Sequence, residues 1–240
     1  MATSRRKLAT ARHGFLRWPV RREGWPPSHD PVTLDRLDEP TGALMALAAA
    51  IATGDEPSIE REVQRCSRTG VPPLWVDELI LQTVLICGWP RALVAARVWR
   101  EGGGSPAGPA PGAEDGSDYA RHREWMARGE QVCREVYGDT YAALRRNIRH
   151  LHPDLESSMI VEGYGRVLGR PGLDLARREL CSVAQIAVLG ARRQLRSHLK
   201  GALNAGATPE VIGRTLDLVR QQLGPGEWTA VRELWERVRE

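Results

Sequence analysis

A shift of 136 residues lays one part of this chain on another. Without a gap it pairs Leu37 with Leu173, Asp38 with Asp174 and Leu44 with Leu180. It also pairs Gly54 with Gly190, Gly70 with Gly206, Pro73 with Pro209, Gly88 with Gly224 and Trp99 with Trp235. Glycine and proline punctuate helices and turns, so matching them matches element ends. The chain therefore reads as an internal duplication interrupted by EGGGSPAGPAPGAEDGSD, a Gly/Pro-rich segment with no apolar period. Its glycines are not a phosphate loop, because no Gly-Lys-Ser/Thr follows them. We divide the chain into a basic arm (1–30), a first repeat (31–101), a flexible linker (102–118) and a second repeat (119–240).

The second repeat gives the clearest local plan. Asp174 is a cap candidate, and Leu175, Leu180, Val183, Ala184, Ala187 and Val188 form an apolar stripe. Gly190 supplies the left-handed residue that ends this helix. A second helix runs from about Arg192 to Gly206, and Thr208-Pro209-Glu210 opens a third as cap, first-turn proline and first-turn acid. The first repeat predicts helices near 40–53, 56–69, 73–87 and 91–100. Residues 119–150 read as one long helix and 154–168 as another.

Composition agrees with an all-α chain: aromatics make up 5% and Phe15 is the single phenylalanine, whereas strands favour β-branched and aromatic residues. No apolar run approaches the roughly 18 residues a membrane span needs. The net charge of +4 resides in the arm, where Arg5, Arg6, Lys7, Arg12, Arg17, Arg21 and Arg22 outnumber Glu23 and Asp30. A nucleic-acid binder carries its basic face on the folded part, so no nucleic-acid partner is expected. Cys66, Cys87, Cys133 and Cys181 are scattered, with no CxxC and no metal-ligand spacing; this fits a reducing cytoplasm. His150 and His152 point to different helix faces and lack a third ligand, so no metal is expected.

Glu179 and His198 are the candidate catalytic pair. They lie eleven residues before and eight residues after Gly190, roughly 16 and 12 Å along their helices. Antiparallel helices about 8–10 Å apart bring such side chains to similar depth. Gly201, Ala202 and Ala205 leave room beside the imidazole. A carboxylate and an imidazole in a part-apolar hollow suit proton transfer near neutral pH. The alternative is a Glu-His pair that merely joins two helices.

The run RREL…LGARRQLRSHLKGALNAGATPEVI, from Arg177 to Ile212, and the upstream EGYGRVLGRPGLDL resemble the carboxymuconolactone decarboxylase family of the alkylhydroperoxidase D-like superfamily. TGALMALAAAIATGD and GWPRAL in the first repeat resemble it more weakly. The resemblance implies a helical bundle of two tandem antiparallel hairpins and an oligomer, most simply a trimer. It implies cofactor-independent decarboxylation, or a related lyase reaction, on a small carboxylated lactone or acid. His198 is then the general acid and Glu179 its partner, with Arg178, Arg196 and Asn204 expected to bind substrate and Arg177 as a further guanidinium candidate. In the superfamily's peroxidases a CxxC pair lies between the Glu and the His; here those positions hold Ala191 and Gln194, so thiol peroxidase activity is not expected. The first repeat has Ala43 in place of Glu179 and Glu62 in place of His198, and cannot hold the same site. A non-catalytic oligomeric binding or scaffold protein is the competing reading. A Glu179–His198 separation beyond about 6 Å favours it.

Overall fold

The computed structural model describes residues 33–104 and 115–240; the basic arm and the middle of the linker lie outside them. The described chain is all-α, its one β-type contact an isolated parallel bridge between Leu34 and Ala207. The first repeat forms α1 (Glu39–Thr53), α2 (Glu56–Arg68) and α3 (Pro73–Glu101). The second forms α7 (Leu175–Val188), α8 (Arg192–Asn204), α9 (Pro209–Val219) and α10 (Pro225–Arg239). Between them lie α4 (His122–Tyr137), α5 (Tyr141–Leu151), the short α6 (Pro153–Ser158) and a π-helix, Met159–Leu168.

The paired punctuation does the same work in both repeats. Asp38 and Asp174 each cap a helix, accepting from the Thr41 and Arg177 amides. Gly54 (φ 79°) and Gly190 (φ 68°) then take the left-handed conformation that lets the next helix fold back. The equivalent helices α1 and α7 pack on each other, and Arg177 Nε donates to the hydroxyl of Thr41, the residue 136 positions earlier, at 2.9 Å.

α1 and α7 are the centre of the molecule. Leu44, Leu47, Ile51, Leu180, Val183, Leu195, Leu199, Ile212 and Leu216 form one core across both repeats. α7 departs from the expected stripe: every residue from Leu175 to Ala187 is buried, including Arg177, Arg178, Glu179, Ser182 and Gln185. A helix apolar on one face only can be buried all round when most of its polar groups find partners, as here all but Glu179 Oε1 and Gln185 Oε1 among its buried side-chain atoms do. Arg178 Nη2 donates to Glu78 Oε2 at 2.7 Å and its Nε to the Leu173 carbonyl at 3.0 Å, while Gln185 donates to Thr83 at 2.7 Å. These contacts bind α3 of the first repeat to α7 of the second.

Against the expectation that no apolar run approaches membrane-spanning length, α3 has a mean hydropathy of 1.6 over an 18-residue window, enough by length and composition to cross a membrane. Gly88 (φ 78°, ψ 171°) interrupts it, however, and Pro90 restarts it, close to the two helices expected at 73–87 and 91–100. The expected single helix over 119–150 is also broken. Gly138, at φ 51°, ends α4 by donating to the Arg134 carbonyl, and a 3₁₀ turn leads into α5. The expected helix over 154–168 becomes α6 plus the π-helix. This segment lies close against α4: a Cβ at Gly165 would overlap the Trp125 carbonyl, and one at Gly129 the Ile160 carbonyl. α4 and the π-helix therefore touch backbone to backbone, which an apolar period does not encode. The ends of the expected linker are anchored, with Gly104 N–H on the Trp99 carbonyl at 2.9 Å and the Gly116 carbonyl accepting from Arg166 at 3.1 Å.

Candidate active site

The bend at Gly190 sets α7 and α8 side by side and brings Glu179 and His198 together. Glu179 Oε2 lies 2.8 Å from His198 Nδ1. Glu179 is wholly buried and His198 is 9% exposed. The second carboxylate oxygen, Oε1, is buried with no hydrogen-bond partner among the described residues. Since the carboxylate only accepts, Nδ1 carries the proton of this bond, and Nε2 is the ring nitrogen left for the cavity. Gly201 makes the approach possible: a Cβ there would stand 2.5 Å from Glu179 Oε2 and 2.7 Å from Val136 Cγ1.

His198 lines a cavity of about 510 Å³ at the junction of the repeats. α3 contributes Leu85 and Ile86, α5 contributes Leu144 and Ile148, and the π-helix contributes Met159, Tyr164 and Leu168. The degenerate first repeat thus builds a wall of the second repeat's site. π-helical segments recur at functional sites, and this one carries much of the lining.

Two tyrosines join His198 in the polar part of the lining, which also includes Ser158, Glu162, Arg193, Gln194 and Ser197. Tyr137 is the last residue of α4, and Tyr164 lies on the π-helix; both line the cavity. The Tyr164 hydroxyl donates to the Tyr137 oxygen at 3.2 Å, which leaves the Tyr137 O–H to donate elsewhere. Burial, reinforced by the Glu179 charge, pushes both phenols above their ordinary value, so both are neutral donors at physiological pH. Sequence reading passed over this pair. The only signal was Tyr137-Gly138 at a helix end and a tyrosine within EGYGRVLG.

The other expected site residues part ways. Arg178 is fully buried and engaged by Glu78, Leu173 and Arg170, away from the cavity. Arg177 holds Asp174 at 2.7 Å and stacks on Trp75, 4.3 Å from its ring centre. Arg196 and Asn204 line a neighbouring groove, where Asn204 also donates to the Val136 carbonyl at 2.8 Å. In the first repeat Ala43 is buried and Glu62 lies 3.5 Å from Arg65. His152 serves as a cap, its Nδ1 accepting from the Asp154 amide at 3.1 Å. Ala191 precedes α8 and Gln194 lines the cavity, while Cys66, Cys133 and Cys181 are buried. Among the described residues no three His, Cys, Asp or Glu side chains are grouped to hold a metal.

The sequence model of the carboxymuconolactone decarboxylase family matches residues 31–101 and 158–236, well over half the chain. The chain belongs to this family. Among relatives, a 4-carboxymuconolactone decarboxylase from Acinetobacter baylyi is 30% identical over 97 residues, covering 40% of this chain and 69% of that protein. A nitrosuccinic acid decarboxylase from Metarhizium robertsii is 33% identical over 99 residues, covering 40% and 68%. At family level these likenesses support a decarboxylase-like function. The all-α bundle agrees with the family's alkylhydroperoxidase D-like fold.

Proposed function

We propose that the protein is a decarboxylase of a small carboxylated acid or lactone, and that His198 and Glu179 move the proton. The observation that carries this reading is the buried 2.8 Å contact between them at the wall of a mostly apolar cavity. When a carbon–carbon bond to a carboxylate breaks, its electron pair enters an adjacent acceptor, carbon dioxide leaves, and the carbon must then gain a proton. A lactone carbonyl and a nitro group are such acceptors, and these are the groups in the named substrates of the two relatives. The transient negative charge then sits on oxygen. Tyr137, whose hydroxyl hydrogen is not used by Tyr164, is placed to donate to that oxygen. His198 delivers the proton to carbon from Nε2, and Glu179 holds the ring by Nδ1 and offsets the imidazolium charge. Peroxide reduction is not expected, since no thiol lines the cavity.

The test is carbon dioxide release from 4-carboxymuconolactone, nitrosuccinic acid and related acids by the full chain. His198→Ala, with its helical circular dichroism intact, is expected to lose at least 100-fold in kcat. Turnover within a few-fold of the parent removes His198 from the mechanism. The competing binding or scaffold role gains if no acid of this class is turned over.

A further inference from the structure

The cavity beside His198 has mostly apolar walls and few charged groups. Among the described residues that line it, Glu162 is the one carboxylate and Arg193 the one arginine or lysine. Glu162 is already engaged: Arg166, one turn along the same segment, donates from Nε to its Oε2 at 2.6 Å. Arg193 is exposed, and its guanidinium has neither an ion pair nor a hydrogen bond among the described residues. Arginines on the surrounding helices are committed, Arg145 and Arg149 to Glu156, and Arg170 and Arg178 to Glu78. One positive charge at the wall of this cavity is therefore left without a partner.

The place of Arg193 on α8 ties it to the site. Arg193 and Ser197 form one i, i+4 row of that helix, Gln194 and His198 form the adjoining row, and all four line the cavity. Arg193 precedes His198 by five residues, about 7.5 Å along the axis, so a small acid touching the imidazole lies within reach of its long stem. A mostly apolar pocket fixes the orientation of its ligand through the few polar groups it carries. A guanidinium meets a carboxylate through two parallel hydrogen bonds, which fixes direction as well as charge.

Resting on the decarboxylase reading, we infer that Arg193 is the specificity residue of this site: it holds a second carboxylate of a small diacid, one that stays on the product. The carboxylate that leaves then lies among side chains such as Leu144, Ile148 and Met159. A charge in such surroundings is poorly solvated, and its loss as neutral carbon dioxide removes it. The carbon–carbon bond to that group breaks, its electron pair enters the adjacent acceptor, and His198 supplies the proton to carbon. Arg193 forms no bond and gives up no proton; it keeps the retained charge in place throughout. A monoacid whose carboxylate sits on Arg193 has nothing to lose at the His198 end, so it binds without reacting.

The probes are succinamate, with one carboxylate, and succinamide, its neutral counterpart, and their binding to the full chain is measured by calorimetry. Wild-type protein is expected to bind succinamate at least about tenfold more tightly, the scale of one charge-assisted hydrogen-bonded pair. In Arg193→Gln, with helical circular dichroism intact, the two should bind alike, and Arg193→Lys should restore part of the difference. In Arg196→Gln/Lys200→Gln, which alters the neighbouring groove, the preference should persist. In the carbon dioxide assay Arg193→Gln should raise KM about 10–100-fold with kcat within about threefold. Replacing the retained carboxylate of the substrate by an amide should cost the wild type as much, and Arg193→Gln nothing further. A succinamate preference that survives Arg193→Gln or is absent from the wild type, or an unchanged KM in Arg193→Gln, overturns the inference. An Arg193-dependent preference without carbon dioxide release from any acid overturns the decarboxylase reading alone.

Discussion

Gly201→Ala separates a packing requirement from ordinary helix propensity. In an open helix interior the change stabilises by about 1 kcal/mol, because glycine loses more backbone freedom on folding. At Gly201 the new methyl would stand 2.5 Å from Glu179 Oε2, 2.7 Å from Val136 Cγ1 and 3.1 Å from Glu179 Cδ. Relieving these contacts requires a shift of roughly 1 Å, and overpacking of a dense site costs about 1–3 kcal/mol. The net expectation is a loss of up to about 2 kcal/mol. Gly213→Ala is the matched control: it lies in α9, and its Cβ would meet only Trp235 Nε1 at 3.8 Å, so a gain of up to about 1 kcal/mol is expected. Urea titration of both variants reads the difference. Because the displaced group is the carboxylate that holds His198, carbon dioxide release by Gly201→Ala should fall about 100-fold, the scale of a 1 Å misplacement. Equal stability in the two variants, or activity within threefold of the parent, refutes the reasoning.

Three further outcomes follow from the buried polar groups. Arg178→Met removes one of the two arginines that hold buried Glu78 and leaves Arg170 at 3.1 Å; it should cost up to about 3 kcal/mol in urea denaturation, and Glu78→Gln/Arg178→Met should recover part of that loss. Burial pushes the thiols of Cys66 and Cys133 up to about 12 and raises those of Cys181 and Cys87 as well; native protein at pH 8 should react with a disulfide reagent slowly and at Cys87 first, and should show no thiol-dependent peroxide consumption. Burial pushes the Glu156 carboxyl up, but the hydrogen bonds from Arg149 and Arg145 outweigh it and hold it below its ordinary 4.5. Its contribution to stability is present above that value and is lost as pH falls through the lowered one, so Glu156→Gln should flatten the acid limb of a stability-versus-pH curve.

The helices and their order were legible because their ends are written in short-range chemistry. Asp174, Gly190 and Thr208-Pro209 act on their own turns, and all three sit where their side chains or φ angles require. The Glu179–His198 contact was legible for the same reason, since a two-helix hairpin about one glycine fixes depth by counting. What the sequence concealed depends on partners distant in the chain. Arg178 looks like a solvated or ligand-binding arginine until Glu78, 100 residues earlier, faces it. Tyr137 and Tyr164 meet only because Gly129 and Gly165 let α4 and the π-helix touch, and Gly138 ends α4 at Tyr137. The break within 119–150 was hidden because Gly138 sits in an otherwise continuous helical pattern.

Proton delivery at the cleft is the claim on which the rest depends, and deuterium reports it directly. Decarboxylation of nitrosuccinic acid or 4-carboxymuconolactone in D2O, followed by NMR of the product, reads where the new hydrogen comes from. If His198 delivers it from one wall of the cavity, the product carries a single deuterium on one face, and slow turnover by His198→Ala gives both faces equally. Deuterium on both faces with the wild-type protein, or an unchanged stereochemical outcome in His198→Ala, contradicts the account.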